Sequence, residues 1–314
     1  MDWKQFWNEL LERHKLRDIV QQMNEVDLAM GSGQTIEEIC HQIYLDYNRW
    51  KTTCEKVKND FWRVVEEFDG VHLHTSRLKT VESLLVKVIS KRSKMLVNKE
   101  SKYSGIDGSN YRDVITDLIG LRLIINYRGH WKDIHEELLS AFPYNPNEIY
   151  QKDRLLPHAE DGNYQAEIPK AYYAEGDDIR AYLDNGLIPM KHKMDYRSIH
   201  YTISFEKVYV ELQIRTIYDE AWSDCDHNYV YKKEDNKSFL ALEKMSKTLS
   251  KLTNLSNDIG EQMKDIYDRE LIVVGSEEWE TTQVVIEEWD RAIERIEDVQ
   301  KDIRELRNRM VAIN

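Results

Sequence analysis

The segment from Tyr196 to Thr216 restricts the fold more than any other, because two runs of strand period follow one another with room for only a tight turn between them. In the first, Ile199, Tyr201, Ile203 and Phe205 fall on one face and Tyr196, Ser198, His200 and Thr202 on the other. In the second, Val208, Val210, Leu212 and Ile214 alternate with Glu211, Gln213 and Arg215. This pattern predicts a half-buried antiparallel hairpin with its apolar face in a core. The polar row reads either as a solvated outer face or as a binding surface, and the pattern alone leaves both open.

Helical patterns surround that hairpin. Trp3 to Met23 reads as one short amphipathic helix, ended by Gly31-Ser32-Gly33. Thr35 and Glu38 have capping-box spacing, and apolar residues from Ile36 to Phe68 recur every three or four positions, which predicts one long helix closed by Gly70. Its aromatic stripe reads as core packing. Val71 to Lys79 predicts a short strand leading into a helix over Lys79 to Lys94. His72 and His74 share a face of that strand but have no partner at a metal-ligand spacing. Ser101 to Asn110 reads as a loop, Gly120 to Asn126 as a buried central strand with Asp117 just before it, and Trp131 to Phe142 as a helix.

Residues 143–193 predict a strand near Glu148 to Lys152 and a long insertion that includes a helix at Asp177 to Leu183. Thr216 is placed to cap a helix through Cys225, and a further helix is expected over Phe239 to Ile259. Val285, Trp289, Ala292, Ile296, Val299, Ile303, Leu306 and Met310 form a heptad pattern. That helix would pair within the chain, against the helix from Thr35, or between chains to make a homo-oligomer. The expected class is α+β: a mixed sheet flanked by helices, with a helical region at 1–70, the sheet region at 71–235 and a helical region at 236–314.

Composition narrows the function classes. Charged residues make up 32% of the chain and the net charge is -13, with no apolar run approaching a membrane span. The start lacks the order of a secretory signal, so a soluble protein of the cytoplasm is expected, with no membrane partner. Cys40, Cys54 and Cys225 suggest neither a disulfide framework nor a structural zinc site. An acidic total disfavours indiscriminate nucleic-acid binding, although a local basic patch acts over about 8–10 Å in physiological salt. The most basic run is Lys91, Arg92, Lys94, Lys99 and Lys102.

Two groups carry candidate chemistry. Lys79, Ser83 and Lys87 stand at four-residue intervals with Arg77 before them, which suits phosphate as well as a solvated face. Asp117 and Glu211 are the carboxylates that the pattern places at one sheet, and such a pair can hold Mg²⁺ while leaving positions to water and phosphate oxygens. Without a cation, each contact between a triphosphate and a carboxylate at 4 Å would cost about 4 kcal/mol at an effective dielectric of 20.

Ser76-Arg77-Leu78-Lys79 with Glu82-Ser83, Asp117-Leu118-Ile119-Gly120-Leu121-Arg122, Tyr196-Arg197-Ser198-Ile199-His200, and Val210-Glu211-Leu212-Gln213-Ile214-Arg215-Thr216 with Ala221-Trp222 occur in an order that resembles the RelA/SpoT alarmone synthetase domain, over about Val71 to Lys232. The resemblance implies a nucleotidyltransferase-like synthetase core and a pyrophosphokinase that moves the β,γ-pyrophosphate of ATP to a ribose 3'-hydroxyl, releasing AMP. Arg77 and Arg122 would flank the adenine, and Lys79, Ser83 and Lys87 would hold the ATP phosphates. Asp117 and Glu211 would bind Mg²⁺, with Glu211 also the candidate base. Tyr196 would stack on the acceptor base, and His200, Gln213 and Arg215 would complete the acceptor side.

The chain departs from the family at Met194-Asp195, where Asn-Gly is usual, and at Asp226-His227-Asn228, where Glu-His-Lys is common. With no His-Asp dipeptide, it is expected to synthesise and not to degrade. The expected acceptor is GTP or GDP, the alternative is the 3' end of tRNA in a toxin-like enzyme, and a further alternative is a non-catalytic interaction module.

Overall fold

A computed structural model of the chain describes residues 2–29, 31, 33–98, 101–144, 156, 159, 162–174, 177–192, 196–230 and 239–272, and most of 290–309. The N-terminal helices are α1 (Trp3–Arg13), α2 (Arg17–Ala29) and α3 (Ile36–Val65). Thr35 and Glu38 form the expected capping box, Thr35 N donating to Glu38 Oε2 at 2.7 Å and Glu38 N to Thr35 Oγ1 at 3.3 Å. The single helix expected over Trp3 to Met23 is two helices instead. The first ends at a turn with Lys15 at φ 52°, and Leu10 and Leu11 of α1 and Val20 and Met23 of α2 all join the buried cluster. A lysine in the left-handed region carries no sequence signal for such a turn.

The sheet follows. Strand β1 (Val71–Leu78) leads to α4 (Val81–Arg92), which begins later than expected because Thr80 takes the capping position and accepts from Ser83 N. A 3₁₀ turn (Ser93–Leu96), the loop and α5 (Tyr111–Val114) precede β2 (Ile119–Ile125), and α6 (Trp131–Ala141) follows it. Next come β3 (Tyr164–Gln165), β4 (Lys170–Tyr173), α7 (Arg180–Asp184) and β5 (Ile188–Lys191). The hairpin is β6 (Ser198–Phe205) and β7 (Val208–Thr216), and α8 (Ile217–Tyr229) and α9 (Phe239–Ile272) complete the order. The α9 helix runs well past the expected end at Ile259.

The strand order is β1-β2-β7-β6-β4-β5, with β3 also on β6. The pairs β2/β7 and β4/β5 are parallel and the others antiparallel, so the sheet is mixed and the class is α+β. Residues 143–193 are therefore no separate insertion, since they supply β3, β4 and β5. Strands of two to four residues are too short to show a period. The strand expected near Glu148 to Lys152 lies outside the described residues. The expected helix at Asp177 to Leu183 starts at Arg180, because Asp177 binds Arg197 and Asp178 accepts from Arg180 N.

The helix α3 packs on β1, β2 and β7. Its Phe61 stacks on Phe142 and meets Phe205 edge-on, both with centroids 5.2 Å apart, inside one buried cluster that runs from Trp7 to Ile214. The hairpin turn is Glu206-Lys207, both at positive φ (48° and 65°), as a two-residue turn between twisted strands requires. That turn sets the register in which Thr202 faces Glu211 and His200 faces Gln213. In the C-terminal segment, Arg295 pairs with Asp258 (3.8 Å) and Asp302 with Lys251 (3.4 Å), so the described residues run antiparallel to α9 within the chain. No helix among the described residues is long and apolar enough to cross a membrane.

Candidate active site

Strand register assembles one polar face across the sheet. Arg77 lies opposite Gly120, and Gly120 beside Glu211. Arg122 lies beside Gln213, which faces His200, which faces Lys170. Of the two readings of the polar row, the structure excludes a freely solvated face: Gln213, Arg215, Ser198 and Thr202 are all buried.

One half of the site is a cation cluster around Asp117. Lys79 Nζ and Lys87 Nζ both reach Asp117 Oδ2, at 2.8 and 2.6 Å, so the helix after β1 and the turn before β2 meet at this carboxylate. Burial by itself would raise the Asp117 pKa, but Lys87 and Lys79 outweigh it and hold the carboxyl below its ordinary value. Its Oδ1 is buried without a hydrogen-bond partner. Lys79 is fixed through its backbone as well, since Lys79 N donates to Leu118 O (2.9 Å) and Tyr47 Oη of α3 donates to Lys79 O (2.6 Å). Ser83 sits in the first turn of α4, where its hydroxyl accepts from Thr80 Oγ1 at 2.9 Å. The Arg77 side chain lies over Gly120, where an added Cβ would stand 3.6 Å from Arg77 Nε.

The other half centres on Arg215. Its side chain is 5% exposed, and all five of its N–H donors are engaged. Nε donates to Ser198 Oγ (3.3 Å), Nη1 to Glu220 Oε2 (2.8 Å) and Ser223 Oγ (2.9 Å), and Nη2 to Gln213 Oε1 (2.5 Å) and Tyr196 Oη. Its guanidinium also lies 4.9 Å from the Tyr196 ring centroid. Arg215 therefore holds the other site residues in place. Glu220 joins it to Arg122, whose Nη1 donates to Glu220 Oε1.

Tyr196 accepts from Arg215, and its hydroxyl shares a hydrogen bond of 2.9 Å with His200 Nε2. Burial, then Arg215, Lys170 and Arg122, push the His200 pKa well below its ordinary value, so the imidazole is neutral. The other ring nitrogen, Nδ1, stands 3.8 Å from Glu211 Oε1.

Glu211 Oε2 accepts from Gln213 Nε2 at 2.7 Å. Burial first, and the Asp117 charge second, raise the Glu211 pKa, so the two carboxylates act on one another across the site. No group of three or more His, Cys, Asp and Glu side chains suited to a metal occurs among the described residues. A pair of hard carboxylates, one with a buried unpartnered oxygen, fits Mg²⁺, a cation that takes one or two protein carboxylates and leaves the rest of its shell to water and phosphate.

All eleven expected site residues are described. Arg77, Lys79, Ser83, Lys87, Asp117 and Arg122 gather on β1, α4 and β2, and Tyr196, His200, Glu211, Gln213 and Arg215 on β6, β7 and the approach to them. The departure at Met194-Asp195 lies outside the described residues. At the other departure, Asp226 accepts from Ser246 Oγ (2.6 Å) and ties α8 to α9.

Sequence reasoning missed Glu220, Tyr172 and Glu167. Glu220 lies five residues past Arg215, one turn into the helix that Thr216 caps, and a carboxylate at that offset from a buried arginine is a readable signal. Tyr172 meets the His200 ring edge-on with centroids 4.7 Å apart, and Glu167 accepts from Thr202 Oγ1 (2.6 Å) and Lys170 Nζ (2.6 Å). These two come from the segment whose strands carry no period.

Fold and site together define an α+β protein with two carboxylates and a bank of cations on one face of a mixed sheet. The chain belongs to the RelA/SpoT family: a family model described as "Region found in RelA / SpoT proteins" matches residues 76–236, about half of the chain. Among solved structures it is similar to smu.1046c from Streptococcus mutans UA159, with 17% identity, 72% of this chain and 98% of that one covered, and a TM-score of 0.44. It is similar also to small alarmone synthetase 1 from Bacillus subtilis bound to its product pppGpp (19% identity, 70% and 93% covered, TM-score 0.41). A GTP pyrophosphokinase family protein from Streptococcus pneumoniae is a third such structure (16% identity, 72% and 95% covered, TM-score 0.43). No curated protein matches the chain.

Proposed function

We propose that the chain is an ATP-dependent pyrophosphokinase that makes 3'-pyrophosphorylated guanosine nucleotides from GTP or GDP. The observation that carries this reading is the Asp117 centre, where two lysines and an unpartnered carboxylate oxygen stand within electrostatic reach of Glu211. Mg²⁺ held by Asp117 and Glu211 would neutralise charge between the carboxylates and the phosphates of the nucleotide. Lys79 and Lys87 then bind the ATP phosphates, and Ser83 adds a hydroxyl donor. Arg77 and Arg122 are diagonal neighbours on β1 and β2, and their guanidinium groups would flank the adenine, one on each face of the planar base.

On the acceptor side, Tyr196 presents an aromatic face to the base, and Arg215 with Gln213 fixes its orientation. Glu211 takes the proton from the 3'-hydroxyl as that oxygen attacks the β-phosphorus. The bond from the β-phosphorus to the α,β-bridging oxygen breaks, and AMP carries the bridging oxygen away. Such transfer depends on positioning and charge neutralisation, which the clustered cations and the packed arginine hub supply.

Incubation with γ-labelled ATP and either GTP or deacylated tRNA tests the acceptor. Label in the nucleotide is expected; label in tRNA alone would move the chain to the toxin-like class, and no transfer to any acceptor would leave an interaction module. Tyr196→Ala should raise the KM for the guanosine nucleotide by roughly 10-fold, since stacking on a base is worth about 1–3 kcal/mol, while changing the KM for ATP far less. Equal rises in both would make Tyr196 a structural residue. Tyr47→Phe removes the hydroxyl that holds Lys79 O. It should cost about 1 kcal/mol in urea denaturation and raise the KM for ATP with that for the acceptor unchanged.

A further inference from the structure

The polar face of the sheet continues past the hairpin onto β4. Lys170 lies opposite His200 and Tyr172 opposite Ser198, so both share the face that carries Glu211, Gln213 and Arg215. Lys170 Nζ donates to Glu167 Oε2 at 2.6 Å, and the other oxygen of Glu167 accepts from Thr202 Oγ1 at 2.6 Å. Thr202 in turn faces Glu211 across the hairpin. Burial first, then Arg215 and Lys170, lower the His200 pKa, while burial, then Tyr196, Glu211 and Glu167, raise that of Tyr172. Lys170, Glu167 and Glu211 therefore act on one shared space.

A nucleoside di- or triphosphate entering that space brings several negative charges beside two carboxylates, and it needs a cation there. Arg215 has all five donors engaged, Arg122 donates to Glu220, and His200 is neutral. Lys79 and Lys87 gather at Asp117 on the β2 side, and β2 and β4 stand three strand spacings apart, about 14 Å. Lys170 is thus an acceptor-side cation, and 27% of its side chain is exposed to an incoming ligand. A lysine ammonium rotates its three donors about the Cε–Nζ bond, so it can meet a phosphate oxygen while keeping Glu167. We infer that Lys170, steadied by Glu167, takes the 5'-phosphates of the acceptor, so that affinity climbs with the number of phosphates the nucleotide carries. The inference rests on the reading of Tyr196 and Glu211 as the acceptor side. It favours a free nucleotide over the 3' end of a polynucleotide, whose last nucleoside has one phosphodiester charge on its 5' side. Glu167 repels the same phosphates, so the pair sets how steeply affinity climbs.

The test is equilibrium binding of GMP, GDP and GTP to the full-length protein with Mg²⁺ at about 0.15 M salt. The donor site is filled with α,β-methylene-ATP, whose bridging carbon blocks transfer. The readout is the ratio of GTP to GMP affinity, in which contacts to the base and ribose cancel. The unaltered protein should show a ratio of about 10 or more, and K170Q should bring it to within about 2-fold of one, since a hydrogen bond to a charged group carries roughly that factor. E167Q should raise the ratio, because the amide still accepts from Lys170 but no longer repels phosphate. K191Q, an exposed lysine that lies opposite Tyr173 and so on the other face of β5, should leave it unchanged. No binding of the three nucleotides, a ratio near one in the unaltered protein, an unchanged ratio in K170Q, an equal fall in K191Q, or a fall in E167Q that matches K170Q would overturn the inference. Failure of the proposed reaction shows differently: the ratio and its loss in K170Q persist, but no AMP appears when ATP replaces the analogue.

Discussion

Glu211→Gln should lower pyrophosphate transfer by about 10³-fold or more while leaving the fold intact. The change keeps the shape of the side chain and removes both its charge and its ability to take a proton, and loss of a positioned base alone costs about 10²–10⁴-fold. The stability effect has a definite sign. Burial and Asp117 raise the Glu211 pKa, so the folded protein favours the neutral form, and the carboxylate costs stability as pH rises from 4.5 through the raised value. In metal-free buffer near neutral pH the variant should therefore melt at the same temperature or slightly higher. Normal turnover would remove Glu211 from the chemistry. Lost turnover with a large fall in melting temperature would make it a structural residue.

Asp27→Ala should destabilise the protein by about 3–5 kcal/mol, because it breaks a buried ion pair. Arg92 Nη2 donates to both oxygens of Asp27 (2.8 and 3.0 Å) and Nη1 to Ile106 O (2.8 Å), and both side chains are 6% exposed. Removing the carboxylate leaves a buried guanidinium without its counter-charge. Asp27→Leu combined with Arg92→Met should recover most of the loss, because an apolar pair leaves no charge to desolvate. This pair anchors α2 to the end of α4, the helix that carries Ser83 and Lys87, so Asp27→Ala should also weaken ATP binding. A loss below 1 kcal/mol would show that water reaches Arg92.

The Asp27 and Arg92 partners lie 65 residues apart, which explains why local pattern could not pair them. What was legible had a local cause. The alternation in β6 and β7 marked the faces, Thr35 with Glu38 and Thr216 marked helix starts, and motif order placed Asp117 and Lys79 near the same sheet. The break at Lys15 was hidden because a lysine at positive φ is not marked by its residue type, while the apolar residues on both sides, Leu10, Leu11, Val20 and Met23, are buried and keep a helical spacing. The strands of 143–193 were hidden because they are held by pairing with β6 and not by a period of their own. At the site, the sequence reads Arg215 as a contact to the acceptor, whereas the structure engages its five donors and makes it the brace for Tyr196, Gln213 and Glu220, a division of labour that no local pattern carries.

The most direct test of pyrophosphate transfer is the identity of the adenosine product. With ATP, Mg²⁺ and GTP or GDP supplied, AMP should appear one for one with a guanosine nucleotide carrying a 3'-pyrophosphate, and neither should form with Glu211→Gln. Release of ADP with orthophosphate in place of AMP, or no AMP with any acceptor, would contradict it.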